Sequence, residues 1–199
     1  MTVLNQTETD PFAWFHHWME EAEANEPSDP NAMTVVTVGQ GGKPSARTVL
    51  LKGVDPRGFV FYTNTQSRKG QEIASNGLIS LLFYWKSLGR QIRIEGSVES
   101  VTDAEADAYF ASRARVSRLG AWASDQSRPL AGRAELEHRL VHFDEKYPGE
   151  DIPRPPYWHG YRVLPERFEF WQNMPYRLHD RTIFERETGG GWTRGKLFP

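Results

Sequence analysis

The stretch AMTVVTVGQGGKPSARTVLLKGVDPRGFVFYTN, residues 32–64, decides the fold class. Its apolar residues fall into three short blocks, Ala32–Val38, Ser45–Val54 and Phe59–Asn64, in the manner of β-strands. The segments between the blocks, Gly39–Lys43 and Asp55–Gly58, carry the glycine and proline residues that favour tight turns. Such short turns predict consecutive strands that pair in the antiparallel direction.

The region after this stretch continues the same pattern. Ser67 is a suitable cap for a short helix, Ser67–Ser75, and two further strands are predicted at Leu78–Trp85 and Arg90–Val101. Five strands joined mostly by short turns predict an antiparallel sheet or barrel.

Helical patterns precede and follow these strands. Pro11 opens the first helix, Thr102–Glu105 has the form of a capping box, and later helical segments cover Ser117–Ser124 and Ala131–Tyr147. The tail again has strand patterns, in four segments: Gly160–Leu164, Arg167–Gln172, Arg177–Arg186 and Trp192–Leu197. We expect a mainly β fold with helices, of the α+β class, in a single domain of residues 1–199 whose first nine residues are flexible.

Composition excludes several classes of protein. The chain has no cysteine, which excludes disulfide scaffolds, thiolate metal sites and thiol nucleophiles. Its net charge of −2 argues against a general nucleic-acid-binding surface. No long apolar run and no signal-like N-terminus is visible, so we expect a cytoplasmic protein that does not enter a membrane.

The tail holds the most unusual group of charges. Arg177, His179 and Arg181 alternate in sequence, and on a strand they share one face. Three potential cations on one face repel each other unless an anion lies over them, so the pattern indicates an anion or cofactor wall. A solvated sheet edge remains the alternative.

Two other groups of residues suit phosphate. Ser67-Arg68-Lys69 opens a helix, where free backbone N–H groups and basic side chains favour an anion. Tyr109, Arg113 and Ser117 are spaced by four, and a continuous helix brings them to one side. An ordinary amphipathic surface is the alternative for this second group. No metal site is predicted, because the two histidines spaced by four, at 138 and 142, lack the glutamate of the metalloprotease pattern.

These residues together resemble the pyridoxamine 5′-phosphate oxidase family. The strongest agreement is FEFWQ at 168–172 followed by RLHDR at 177–181. Five further segments support it: Arg47–Lys52, Phe61–Asn64, Ser67–Lys69, Tyr109–Arg113 and Gly120–Ser124, the last leading to Gln126-Ser127.

The resemblance implies an FMN-binding split β-barrel and a homodimer with FMN at the subunit interface. It implies oxidation of pyridoxamine or pyridoxine 5′-phosphate to pyridoxal 5′-phosphate, with oxygen reduced to hydrogen peroxide and no covalent nucleophile. Arg177 and His179 are then the catalytic pair that holds the pyridine ring. The substrate phosphate falls to four residues: Lys52, Tyr109, Arg113 and Ser117.

Cofactor contacts implied by the resemblance form a larger set. They are Arg47, Thr48, Val49, Leu50, Leu51, Lys52, Tyr62, Thr63, Arg68, Lys69, Gln91, Gln126, Ser127, Trp171 and Arg181, with Gln126 and Ser127 expected from the other subunit. Two alternatives stay open: a related split-barrel flavoprotein with another substrate, and a non-catalytic carrier of flavin or pyridoxal phosphate.

Overall fold

Nine antiparallel strands form one sheet in the computed structural model, which describes residues 9–199. The strands are β1 Ala32–Val38, β2 Pro44–Leu50, β3 Gly53–Asp55, β4 Gly58–Asn64, β5 Leu78–Trp85, β6 Arg90–Ser100, β7 Trp158–Gln172, β8 Asp180–Arg186 and β9 Trp192–Lys196. Their order is β2-β1-β5-β6-β7-β4-β3, with β8 between β7 and β9.

Strand β7 is the branch point of the sheet. Its first residues pair with β4, its last residues pair with β8, and β6 pairs with both parts. A register shift opposite Glu95 and Gly96 leaves Glu166 as an extra residue, which is the usual cause of a local bend. The sheet therefore curls into a split barrel, and the predicted fold class is confirmed.

Five helices and one 3₁₀ turn accompany the sheet in the described chain. They are α1 Pro11–Asn25, α2 Arg68–Asn76, α3 Asp103–Ser112, α4 Arg115–Ala123, α5 Arg133–Lys146 and the turn Pro175–Arg177. Helix α1 begins where the Asp10 carboxylate accepts a hydrogen bond from the Phe12 backbone at 2.9 Å. It packs Phe15 and Trp18 against buried aromatic rings of the sheet, which closes the main core.

A second apolar cluster holds the other helices in place. Phe110 of α3 and Leu119 of α4 are buried with Ile152 and Trp158. This cluster holds α3 and α4 against the start of β7, beside a cavity. No helix within residues 9–199 is long and apolar enough to cross a bilayer.

The tail departs from the predicted strands. The two segments predicted around 160–172 are one continuous strand, because the bulge at Glu166 passes Pro165 without ending the pairing. The strand predicted from Arg177 begins only at Asp180, since Tyr176 and Arg177 have φ values of 59° and 62° and cannot extend a strand. The prediction that Arg177, His179 and Arg181 share one face of a strand was therefore wrong.

Two other expectations also changed. The strand predicted at Ser45–Val54 is divided into β2 and β3, because the backbone changes its pairing partner at Leu51 and Lys52: Leu51 N–H donates to Asn31 O, and Lys52 N–H donates to Val60 O. The expected flexible segment, residues 1–9, lies outside the described residues except for Thr9.

Candidate functional site

A cavity of about 810 Å³ opens between β2, β4 and the helices α2, α3 and α4. Of the described residues that line it, five are basic and none is acidic. The basic residues are Arg47, Lys52, Arg68, Lys69 and Arg113. A cavity of this size and charge suits a small ligand that carries several negative charges.

Lys69 lies at the centre of the first basic group, which consists of Arg47, Arg68 and Lys69. Its ammonium donates to Thr63 Oγ1 at 2.8 Å, to Ser67 Oγ at 3.2 Å and to Gln126 Oε1 at 2.7 Å. The residue is only 6% exposed. Burial, together with the nearby charge of Arg47, lowers the pKa of Lys69 to about 8.

The start of α2 brings this group against the sheet. Ser67 caps the helix by accepting a hydrogen bond from the Gly70 backbone. A Cβ atom at Gly70 would lie 2.1 Å from the carbonyl oxygen of Thr65, so only glycine allows the helix to begin this close. The backbone N–H groups of the first turn therefore lie beside Arg68 and Lys69, as the sequence predicted.

Arg113 marks the second basic group. Its guanidinium lies over the Trp158 ring at 4.9 Å, and burial lowers its pKa. Its buried Nη1 has no hydrogen-bond partner among the residues that the structure describes. A buried, unpaired guanidinium nitrogen beside a cavity is costly, and an anion in the cavity would satisfy it.

Aromatic rings form the wall beside Arg113. Tyr62 stacks on Tyr109 at 4.1 Å and on Trp158 at 5.2 Å. Gly160 makes this possible, because a Cβ atom there would lie 2.6 Å from Cε1 of Tyr62. The stack presents a flat apolar surface next to the charged groups.

The predicted phosphate group at Tyr109, Arg113 and Ser117 lines the cavity, but not on one helix. Helix α3 ends at Ser112 and α4 begins at Arg115, so Arg113 is the residue that caps the break. The expected neighbourhood of the three side chains is present, but two helices and the break between them produce it, not the continuous helix that the spacing argument assumed.

The tail residues form a separate group. Trp171 and His179 have ring centroids 4.6 Å apart, and Trp171 pairs across the sheet with both Gln91 and Arg181. Within residues 9–199 of a single chain, neither these four residues nor Arg177 lines the cavity.

His179 and Arg181 are held by defined contacts. The backbone N–H of Met174 donates to His179 Nδ1 at 3.3 Å, so the neutral imidazole carries its proton on Nε2. Arg181 donates from Nε and Nη2 to one oxygen of Glu169, at 2.8 and 2.7 Å. Arg177 is exposed and strained, with a positive φ that a non-glycine residue adopts at a cost of about 1–3 kcal/mol.

Most predicted cofactor residues line the cavity: Arg47, Thr48, Val49, Leu50, Lys52, Tyr62, Thr63, Arg68, Lys69, Gln126 and Ser127. The Leu51 side chain is 7% exposed and packs into the main core, so its assignment to the cofactor stays a prediction. Gln126 is a correction, because it accepts hydrogen bonds from Thr63 and Lys69 of its own chain rather than reaching in from a second one.

Sequence reasoning missed several lining residues: Ser45, Asn64, Ser124 and Trp158. Ser45 could have been found, since it alternates with Arg47 along β2 and so shares its face. Trp158 carries no local signal, because only tertiary packing brings the start of β7 beneath Arg113.

Comparison with known proteins gives two family matches and a set of close relatives. Residues 19–147 match the family described as pyridoxamine 5′-phosphate oxidase, and residues 158–199 match the family described as the pyridoxine 5′-phosphate oxidase C-terminal dimerisation region. The pyridoxine/pyridoxamine 5′-phosphate oxidase of Gluconobacter oxydans is 62% identical over 98% of both chains. The protein of the same name from Caulobacter vibrioides is 59% identical over 97% of this chain and 86% of its own.

Solved structures agree with these matches. PhzG from Burkholderia lata, in complex with tetrahydrophenazine-1-carboxylic acid, superposes with a TM-score of 0.92 at 30% identity, over 100% of this chain and 99% of that one. A pyridoxamine 5′-phosphate oxidase-related, FMN-binding protein from Nostoc punctiforme has a TM-score of 0.76 at 16% identity, over 97% and 100% of the two chains. The second likeness concerns the fold alone.

Proposed function

The chain belongs to the pyridoxamine 5′-phosphate oxidase family, and on this premise we propose that it oxidises pyridoxamine and pyridoxine 5′-phosphate to pyridoxal 5′-phosphate with FMN as cofactor. One observation carries the assignment to this cavity: its described lining holds five basic residues and no acidic one. Cofactor and substrate each bring a phosphate of roughly −1.5 to −2 charges, and a site for both needs several cations.

The first basic group fits the phosphate of FMN. Arg47, Arg68 and Lys69 supply charge, and Thr63 with Gln126 supplies hydrogen-bonding groups around the Lys69 ammonium. The depressed pKa of Lys69 supports the assignment, because a buried ammonium among other cations gains most from a dianion. Ser127 also lines the cavity and follows Gln126 in the chain, so we assign it to the same end.

The second group fits the phosphate of the substrate. Arg113 has an unpartnered, buried Nη1 within the described chain, and a phosphate oxygen would satisfy it. Tyr109, Ser117 and Lys52 line the same cavity and add two hydroxyl groups and an ammonium. The stacked rings beside Arg113 give the planar part of the ligand an apolar wall.

The remaining residues complete the site from a second copy of the chain. Gln91, Trp171 and Arg181 are assigned to the flavin ring, and Arg177 with His179 to the pyridine ring. All five lie away from the cavity of their own chain, and four of them fall within the matched dimerisation region. A homodimer with FMN at its interface brings the tail of one protomer to the cavity of its partner.

The residues of this chain bind and orient, and the cofactor supplies the redox chemistry. FMN bound here would supply the two-electron redox chemistry at C4′ of the substrate, with oxygen as the final acceptor and hydrogen peroxide as its product. His179 offers its Nε2 proton as a hydrogen-bond donor, and Arg177 adds a positive charge and hydrogen-bond donors that orient the ring. Pyridoxine phosphate gives the aldehyde directly, whereas pyridoxamine phosphate gives an imine that water hydrolyses with loss of ammonia.

The alternatives predict different ligands. The PhzG structure has nearly the same fold with a phosphate-free ligand, so the fold alone does not select the substrate. Arg113, Tyr109 and Ser117 favour a phosphorylated one, because a guanidinium and two hydroxyl groups around one cavity end have no other evident use.

The test uses purified protein reconstituted with FMN. We expect a flavin absorption spectrum and, with pyridoxine 5′-phosphate under air, equal amounts of aldehyde and hydrogen peroxide. An Arg113→Gln variant should lower kcat/KM about 10- to 100-fold, while Arg133→Gln, which removes an exposed arginine of α5, should leave it unchanged. FMN binding without aldehyde would identify a carrier, and a protein that fails to bind FMN would overturn the proposal.

A further inference from the structure

Glu72 lies behind the wall of the cavity and connects α2 with β1 and β2. The residue is on α2 and is 7% exposed. Its Oε1 accepts from Nε of Arg68 at 2.8 Å, and its Oε2 accepts from Nη2 of Arg47 at 3.2 Å. Oε2 also accepts from the hydroxyl groups of Thr37 on β1 and Ser45 on β2, both at 2.5 Å.

The side chain is ionised at all working pH values. Burial alone would raise the pKa of Glu72, but hydrogen bonds outweigh it and hold the pKa at about 2. The donors are Ser45, Thr37, Arg68 and Arg47. The negative charge therefore lies permanently between two arginines that would otherwise repel each other.

The contacts also decide which N–H groups of each arginine remain for a ligand. Arg47 uses Nη1 for Val35 O and Thr37 Oγ1, and Nη2 for Ser45 Oγ and Glu72, so its Nε–H lies outside these contacts. Arg68 uses Nε for Glu72, which leaves both of its Nη groups. The Arg68 side chain is 63% exposed, and its contact with Glu72 at Nε fixes where the guanidinium lies.

We propose that Glu72 is a positioning residue for the cofactor phosphate, acting through Arg47 and Arg68. The inference rests on the proposed function, because it takes the anion at this end of the cavity to be the phosphate of FMN. Glu72 is not among the residues that line the cavity, so it acts on the phosphate only through the two arginines. Its effect is to hold two guanidinium groups in the orientation that the phosphate needs, so that their side-chain entropy is lost before the ligand binds.

Glu72 also has an unfavourable effect on phosphate binding, and the two effects predict opposite changes in the Kd for FMN when Glu72 is removed. A carboxylate beside two arginines also reduces the positive potential that attracts a phosphate. If that effect prevailed, removal of Glu72 would tighten FMN binding. Orientation should prevail here, because every oxygen of the carboxylate is already engaged with the arginines and the two hydroxyl groups.

The experiment compares two ligands that differ only by the phosphate. FMN and riboflavin are titrated into apoprotein, and quenching of flavin fluorescence gives each Kd. Glu72→Ala should raise the Kd for FMN about 10- to 100-fold, the loss expected for hydrogen bonds between charged groups. The Kd for riboflavin should change by less than about twofold, since no phosphate contact is involved.

Two further variants make the result specific. Glu72→Gln keeps one acceptor oxygen and the shape of the side chain, so it should raise the Kd for FMN by about three- to tenfold. Glu105→Gln is the matched control, because Glu105 also bridges two arginines, Arg57 and Arg162, but outside the cavity. It should leave both dissociation constants unchanged.

Several outcomes would overturn the inference. Unchanged or tighter FMN binding by Glu72→Ala would do so, as would equal weakening of FMN and riboflavin, which indicates general damage to the fold. If Glu72→Ala does not fold, Glu72→Gln decides the matter by the same comparison of ligands. Failure of the parent protein to bind FMN would instead refute the proposed function, so the two failures are distinguishable.

Discussion

Raising the pH from 7 to 9 should weaken FMN binding about tenfold, and Lys69 is the reason. Without a bound anion the pKa of this buried ammonium is about 8. A phosphate dianion beside it should return the pKa towards its ordinary value near 10.5. Because the pKa is higher in the bound state, binding takes up a proton and is favoured at lower pH.

The magnitude follows from the fraction of Lys69 that is charged before binding. At pH 7 about nine tenths of the ammonium groups are protonated, and at pH 9 about one tenth. If the phosphate binds only beside the charged form, the apparent Kd rises in inverse proportion to that fraction. The apparent Kd for FMN should therefore rise about tenfold between pH 7 and 9. At pH 8, binding of one FMN should take up about half a proton.

The assay is a fluorescence titration of apoprotein at pH 7, 8 and 9 and constant ionic strength. Riboflavin, titrated in parallel, corrects for ionisation of the flavin ring, and calorimetry in two buffers of different ionisation enthalpy counts the protons. In Lys69→Gln the Kd for FMN should be higher at pH 7 and nearly independent of pH. The reasoning is refuted if the parent shows no change between pH 7 and 9, or if Lys69→Gln keeps the full tenfold change.

Three other predictions follow from the site. Arg113→Gln should lower kcat/KM for pyridoxine 5′-phosphate about 10- to 100-fold with the Kd for FMN unchanged, since Arg113 is assigned to the substrate phosphate; a parallel loss of FMN affinity would contradict that assignment. Arg177→Ala should be nearly inactive alone, but refolding it with an equal amount of Arg113→Gln should restore about one quarter of the parental activity. Half of the dimers are then mixed, and each mixed dimer has one intact site out of two. No recovery would mean that each chain builds its site alone. Gly160→Ala should lower the free energy of unfolding by about 1–3 kcal/mol in a denaturant titration, because its Cβ would lie 2.6 Å from Tyr62 Cε1 and 2.7 Å from Val101 Cγ2; a stability equal to that of the parent would show that the rings can move aside.

Local patterns in the sequence were sufficient to predict most elements. The strands at Ala32–Val38 and Leu78–Trp85 have the predicted bounds, since a period of two and flanking turn residues define both ends. The capping box at Thr102–Glu105 is present with both of its hydrogen bonds. In each case the information lies within a few residues of the element.

The misplaced elements depend on partners that are distant in sequence. Pairing with β6 carries β7 across Pro165, where the local pattern indicates a break. Conversely, the alternating charges from Arg177 to Arg181 indicate a strand, but the positive φ angles at 176 and 177 delay it. Backbone strain of this kind has no signature in residue type.

The residues of the candidate site also fall into those that local sequence predicts and those that depend on distant partners. The basic groups could be identified from residue type and spacing, because phosphate needs fixed cations and helix termini. Glu72 holds Arg47 and Arg68 by hydrogen bonds, and Trp158 packs under Arg113. Neither residue is close in sequence to all the residues that it contacts. Sequence spacing alone therefore finds the groups that face the ligand more readily than those that hold them.

The branch strand β7 has a consequence for how damage spreads through the proposed dimer. Trp158, at its first residue, lies under Arg113 in the cavity of its own chain, and Trp171, near its end, is assigned to the partner's site. The two residues are thirteen positions apart on one strand, a distance on the order of 40 Å if the strand is fully extended. One continuous backbone thus serves both reaction centres of the dimer. A substitution of a side chain at either end should inactivate one active site. A substitution that breaks the pairing in the middle of β7 should impair both active sites, even when the other subunit is intact.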